Sequence, residues 1–77
     1  MSPYEQKLSH LCYNHFLDTD SRDFTYFARN GNDLINASNA IESMEEDGYI
    51  SNVTDNGFSF SFTIEDSLIQ RMKQGEF

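Results

Sequence analysis

Residues 49–64 read YISNVTDNGFSFSFTI, and they carry the clearest structural signal in the sequence. Two extended runs flank the pair Asn56-Gly57, which is a strong signal for a two-residue hairpin turn. The second run alternates apolar and hydroxyl side chains with the period of a half-buried strand. The stretch therefore predicts a β-hairpin with strands over residues 49–54 and 58–64.

The same turn predicts how the two strands pair. With Asn56 and Gly57 in the turn, Val53 would lie opposite Phe60, and Tyr49 opposite Ile64. One face of the hairpin would then be mostly Ser, Thr and Asn. The other face, which we expect to be core, would hold Tyr49, Val53, Phe58, Phe60, Phe62 and Ile64.

A first helix is predicted from residue 3 to about Leu17. Ser2 is a good N-cap, and Pro3 suits the first helical position. Apolar and amphipathic side chains follow at spacings of three and four residues, which place them on one stripe of a helix. That stripe consists of Tyr4, Leu8, Leu11, Cys12, His15 and Phe16.

A short second helix is the simplest interpretation of residues 24–28. Phe24, Phe27 and Ala28 would give it one buried face. Asn30-Gly31 would end it, because both residues tolerate the left-handed conformation found after helices.

A third helix and a last helix complete the predicted elements. The third would be capped by Asn32 or Asp33 and would end at Gly48, with Leu34, Ala37, Ile41 and Met44 as its apolar stripe. The last would follow the hairpin, with an apolar stripe of Ile64, Leu68, Ile69 and Met72. The sequence thus predicts one α+β domain over residues 1–77, with three helices, a hairpin and a C-terminal helix.

This order of elements resembles the winged-helix family, a variant of the helix-turn-helix. The resemblance is most specific over residues 41–50, where an apolar and acidic helix end leads through Gly48 into Tyr49-Ile50. It implies a winged-helix fold in which the third helix is the recognition helix and the hairpin is the wing. DNA binding is the usual activity that the resemblance implies.

The charge distribution argues against that activity. The formal net charge is −8, and no Lys or Arg occurs from Asn30 through Gln70. Duplex binding gains most of its affinity as cations neutralise phosphates, and an acidic protein also repels anionic membranes. We therefore expect no membrane partner, and no tight binding of duplex DNA without a partner.

The candidate site lies on the outward positions of the third helix and on the wing. Asn side chains can pair with adenine, whereas the carboxylates would dock on a basic patch. The predicted site residues are Asn36, Asn39, Glu42, Glu45, Glu46 and Asp55.

Catalysis and metal binding find little support in the sequence. His10 and Cys12 lie about 200° apart on a helix, so His10, Cys12 and His15 cannot share one metal. No spacing links a nucleophile to a base. We therefore expect that the protein is not an enzyme and that it uses no cofactor and no metal. The single cysteine favours a reducing compartment, so we expect a cytoplasmic protein.

Two classes of function follow. The first is a small acidic protein-interaction module that binds a protein with a basic patch. In its sharpest form, it regulates or inhibits a nucleic-acid-handling protein through the acidic surface. The alternative is a winged-helix DNA-binding transcriptional regulator that uses Asn36 and Asn39. The sequence is also compatible with a homodimer.

Overall fold

The chain folds in the order helix, strand, helix, strand, strand, helix. The computed structural model describes residues 1–75. Three helices and a three-stranded antiparallel sheet confirm an α+β fold. The elements are α1 (Pro3–Thr19), β1 (Asp23–Phe27), α2 (Gly31–Glu46), β2 (Ile50–Asp55), β3 (Ser59–Ile64) and α3 (Asp66–Lys73).

Helix α1 begins where the sequence predicts. The Ser2 hydroxyl accepts a hydrogen bond from the Glu5 N–H at 3.2 Å, which satisfies one of the free donors of the first turn. Leu8 and Cys12 are buried as expected. The prediction that Leu11 belongs to the buried stripe is wrong, because Leu11 lies at the margin of the stripe and is 37 % exposed.

The predicted second helix is wrong, because those residues form β1. This strand pairs with β3, and Phe24 and Tyr26 face the core while Phe27 faces outward. A helix of five residues is marginal by itself, whereas pairing with β3 satisfies the backbone polar groups. The rings of Phe24 and Phe62 also pack edge to face, with centroids 5.7 Å apart.

Helix α2 starts earlier than predicted. The Asn30 side chain accepts from the Asp33 N–H at 2.9 Å, so Asn30 is the N-cap, and Asn32 and Asp33 are not. Asn30-Gly31 therefore opens a helix where we expected it to end one. Gly48, with a φ of 79°, follows the last turn and ends the helix as predicted.

The hairpin is confirmed, but its turn is shifted by one residue. The Asn56 N–H donates to the Ser59 carbonyl at 2.9 Å, so Gly57 and Phe58 are the central turn residues. Gly57 has a φ of 97°, which a residue without a side chain adopts at little cost. The Asp55 carboxylate accepts from the Gly57 N–H at 2.9 Å and holds this turn in place.

The shifted turn changes the strand register. Ile64 lies opposite Ile50, where we expected Tyr49, and Phe60 lies opposite Asp55, where we expected Val53. The bulge between Ser51 and Thr54 takes back one residue of this shift, so the pairing differs from the expected one by two residues beside the turn and by one residue at Ile64. Of the six predicted core residues of the hairpin, Phe60, Phe62 and Ile64 are buried, Tyr49 and Val53 are partly buried, and Phe58 is 62 % exposed.

The sheet order is β1-β3-β2, which places β3 in the centre. The inward side chains of the sheet and the helices form one hydrophobic cluster. The fully or nearly fully buried members are Leu8, Cys12, Tyr26, Ala37, Ala40, Ile41, Met44, Ile50, Phe60, Phe62, Ile64, Leu68 and Ile69. The cluster holds α2 against the hairpin, with the predicted site residues on the outer side.

Candidate functional site

All six predicted site residues are exposed. Five of them lie on α2 and one ends β2: Asn36, Asn39, Glu42, Glu45, Glu46 and Asp55. The buried side of α2 holds Ala37, Ile41 and Met44, which fix the direction in which the remaining side chains point. The structure therefore presents the predicted residues to solvent.

Four exposed residues form one line along α2. Ile35, Asn39, Glu42 and Glu46 recur at spacings of four, three and four residues, so they share one helical face. We call this line the α2 ridge. It spans about 16 Å at the rise of an α-helix. Its first member, Ile35, is apolar and is 61 % exposed.

A groove of about 270 Å³ separates the N-terminal half of α2 from the hairpin turn. We call it the hairpin groove. It brings Asn39 and Asp55 together, although they are far apart in the sequence. The groove is lined by Leu34, Ile35, Ser38, Asn39, Asp55, Gly57 and Phe60.

A second groove, of about 540 Å³, lies on the other side of α2. Asn36 lines this groove opposite the start of α1, with Ser2, Pro3, Tyr4, Glu5, Asn39 and Ala40. Asn39 thus lies between the two grooves, while Asn36 and Asp55 line different ones. The six predicted residues are exposed on different sides of α2 and at the end of β2, and they do not form one compact cluster.

Within residues 1–75, the carboxylates of the predicted site take part in no ion pair. Two ion pairs within residues 1–75 join Arg22 to Asp66 at 2.6 Å and Arg29 to Asp33 at 3.8 Å. Neither includes Glu42, Glu45, Glu46 or Asp55. Within the described residues these carboxylates form no ion pair, so they would be available to a cationic partner.

Asp33 is the one carboxylate of α2 that is buried, and it joins three elements. The Tyr26 hydroxyl donates to it at 2.8 Å and the Arg29 N–H at 2.9 Å, and the Tyr4 hydroxyl donates as well. Tyr4 belongs to α1 and Tyr26 to β1. This cluster fastens the N-terminus of α2 against its neighbours, which makes it structural support for the exposed surface.

The hydrogen bonds shift the titration of the cluster. The Tyr4 hydroxyl, followed by the Arg29 N–H, lowers the pKa of Asp33 to about 2, because both stabilise the ionised carboxylate. Burial raises the pKa of Tyr4, and the bond to Asp33 raises it further. Burial likewise raises the pKa of Tyr26. Asp33 is therefore ionised and both tyrosines are neutral near pH 7.

The residues considered for a metal lie in different surroundings. Cys12 is buried, and burial raises the pKa of its thiol to about 12. His15 makes a hydrogen bond of 2.8 Å between Nε2 and the Asp23 carbonyl, and His10 is exposed. Over residues 1–75, no three His, Cys, Asp or Glu side chains are grouped so that they could hold a metal ion.

Three exposed apolar residues near the hairpin turn were missing from the predicted site. They are Phe27, Ile35 and Phe58, which are 70, 61 and 62 % exposed. Ile35 could have been found, because it falls outside the apolar stripe of α2. Phe27 and Phe58 could not, because one was assigned to a helix and the other to the buried face of the hairpin.

The chain matches no protein-family model, no curated protein and no solved structure. The winged-helix resemblance therefore stays a prediction. Among the described residues, no helix has both the length and the apolar character needed to cross a bilayer.

Proposed function

We propose that this protein is an interaction module that binds a protein partner with a basic patch through the exposed side of α2. One observation carries the proposal. Asn39, Glu42 and Glu46 lie exposed along one helical face, with no cation in residues 30–70 and no ion pair to any of them within residues 1–75.

Charge complementarity makes such a surface specific for cationic partners. It speeds encounter with a basic patch and opposes approach to polyanions. A basic patch that handles nucleic acid is one natural target, since carboxylates can occupy positions that phosphates would take. Regulation or inhibition of a nucleic-acid-handling protein is the sharpest form of the proposal.

The proposal is tested by parallel titrations with a fluorescent Lys-rich peptide and a fluorescent DNA duplex at about 150 mM salt, where screening acts over about 8 Å. We expect salt-sensitive binding of the peptide and no submicromolar binding of the duplex. Glu42→Lys should weaken the peptide complex by about fivefold to tenfold.

Asp18→Lys is the matched control, because it changes the net charge equally at an exposed site on α1. An equal loss in both variants would show that only net charge matters and would contradict the proposed surface. Submicromolar duplex binding that weakens after Asn39→Ala would favour the alternative, a winged-helix DNA-binding regulator.

A further inference from the structure

The hairpin groove combines three apolar residues with the polar side chains of Ser38, Asn39 and Asp55. Phe60 is buried, Leu34 is partly buried, and Ile35 is mostly exposed along the side that α2 provides. Its volume of about 270 Å³ is below the roughly 300–1,000 Å³ of ordinary small-molecule pockets. The groove has room for one large apolar side chain of a macromolecule.

Further apolar surface lies beside the groove. Phe58 follows Gly57, which lines the groove, and is 62 % exposed. The Ala28 N–H donates to the Phe58 carbonyl at 2.7 Å, which holds the end of β1 beside the turn, although the Phe27 side chain lies on the outer face of the sheet, away from the groove. Exposed large apolar side chains at or next to a groove, here Ile35 and Phe58, are typical of interaction sites.

The charges around the groove indicate what would occupy it. Asp55 lines the groove, and Glu42 and Glu46 follow Ile35 along the α2 ridge by seven and eleven residues. Those steps are about 10 and 16 Å along a helix. An occupant should thus be apolar at the groove and cationic at those two distances. A second copy of this chain fits poorly, because it would bring two acidic ridges together.

We propose that the hairpin groove takes one apolar side chain of a basic amphipathic helix from the partner protein, and that two Lys or Arg residues of that helix contact Glu42 and Glu46. This inference rests on the proposed function and names the chemistry of the partner. A helix fits because its own residues at steps of seven and eleven share one face and rise by the same distances.

The probe is an Ala-rich peptide of about 18 residues with one leucine and with lysines seven and eleven residues beyond it, labelled for fluorescence anisotropy. The same spacing is also made in the reverse chain direction. A control peptide has the same composition, but its leucine is moved to the opposite helical face. We expect the better of the two matched peptides to bind at least about tenfold more tightly than the control peptide.

Ile35→Ser should remove this preference for the matched peptide. Leu17→Ser is the matched control variant, because Leu17 is 59 % exposed on α1 and does not line the hairpin groove. It should leave the preference unchanged. Circular dichroism of both variants checks that they keep the native fold, which is expected for surface substitutions.

The outcomes separate the two proposals. Equal binding of matched and control peptides, unaffected by Ile35→Ser but weakened by Glu42→Lys, would overturn the groove proposal and leave the acidic surface standing. Failure of every cationic peptide to bind would overturn both. A dimer in sedimentation that Ile35→Ser dissociates, and that the peptide does not displace, would overturn the groove proposal in favour of a second copy.

Discussion

Asp33 is a buried carboxylate of α2 that is hydrogen-bonded to two neighbouring elements, α1 and β1. Its carboxylate accepts hydrogen bonds from Tyr26 and the Arg29 backbone, and from Tyr4, so α1 and β1 are both attached to the first turn of α2. Buried polar groups that lose a partner cost about 1–3 kcal/mol each. The position of α2 relative to α1 and β1 therefore depends on this side chain.

The cluster predicts a pH-dependent contribution to the free energy of unfolding. The pKa of Asp33 is lowered from 3.8 to about 2, so its stabilisation is present above about pH 4 and is lost as the pH falls toward 2. Asp33→Asn should destabilise the protein by about 2 kcal/mol at pH 6. Urea denaturation of both proteins at several pH values measures the difference between them.

The difference in the free energy of unfolding should shrink as the pH falls from about 4 to about 2. Protonation of Asp33 removes the ionised carboxylate from the wild type, and the Asn variant already lacks it. Asp18→Asn, at an exposed site, is the control and should stay within about 0.5 kcal/mol of wild type. A wild-type advantage over Asp33→Asn that is the same at pH 6 and pH 2 would contradict the assigned role.

Phe58 and Phe60, which flank Ser59 on the hairpin, should differ greatly in the stability that each loses on truncation. Phe60 is 4 % exposed, so Phe60→Ala should cost about 3–5 kcal/mol, enough to unfold much of so small a domain. Phe58 is a turn residue, and Phe58→Ala should stay within about 0.5 kcal/mol. Circular dichroism and urea titration distinguish the two. Comparable losses would mean that Phe58 packs in the core, as the sequence had suggested.

Residue-level prediction succeeded where a side chain follows the period of its own element. Ala37, Ile41 and Met44 are buried on α2 as expected. Asp33 was interpreted as a cap, although it stands four residues before Ala37 on the buried stripe. A carboxylate at an apolar position of a helix indicates a buried hydrogen-bonded cluster, but Asp is also favoured at helix caps, so the local sequence does not separate the two roles.

At the scale of elements, the helices and the hairpin were predictable, but β1 was not. Residues 24–28 allow a helical spacing through Phe24, Phe27 and Ala28, and a strand alternation through Phe24 and Tyr26. Local pattern cannot decide between them in so short a segment. The deciding partner is β3, which lies more than thirty residues farther along the chain.

The hairpin register depends on which two residues occupy the centre of the turn. Asn56-Gly57 is a common central pair, yet the central pair is Gly57-Phe58, because Asp55 accepts from the Gly57 N–H and Asn56 pairs with Ser59. A one-residue shift moves every side chain of one strand relative to the other. It turned Phe58 from an expected core residue into part of the apolar surface beside the hairpin groove.

Two glycines at element ends should respond in opposite directions to a methyl group. Gly57 has a φ of 97°, so Gly57→Ala should destabilise the hairpin by about 1 kcal/mol or more. Gly31 opens α2 with no atom within 4 Å of an added Cβ, so Gly31→Ala should stabilise by up to about 1 kcal/mol. The urea midpoints of both variants measure this. A stabilising Gly57→Ala would contradict the described turn.

At the scale of the whole molecule, charge and fold place different chemistry on different parts of the surface. The long stretch without Lys or Arg includes all of α2 and both strands of the hairpin, so these elements present carboxylates together with exposed apolar groups. The cations Arg22 and Arg29 lie outside it, and each pairs with a carboxylate. This charge asymmetry could be predicted from the sequence. The groove beside the acidic residues could not, because it is formed by residues of α2 and of the hairpin that are distant in the sequence.

The central claim, that the exposed side of α2 receives a cationic partner, is tested most directly by mapping amide chemical shifts while the matched lysine peptide is added to ¹⁵N-labelled protein. We predict that the perturbed amides concentrate in residues 35–46 and around Asp55 to Phe58. We also predict that all of these chemical-shift perturbations become smaller as the salt concentration is raised. Perturbations that instead concentrate on α1 or β1, or no perturbation at all, would contradict the account.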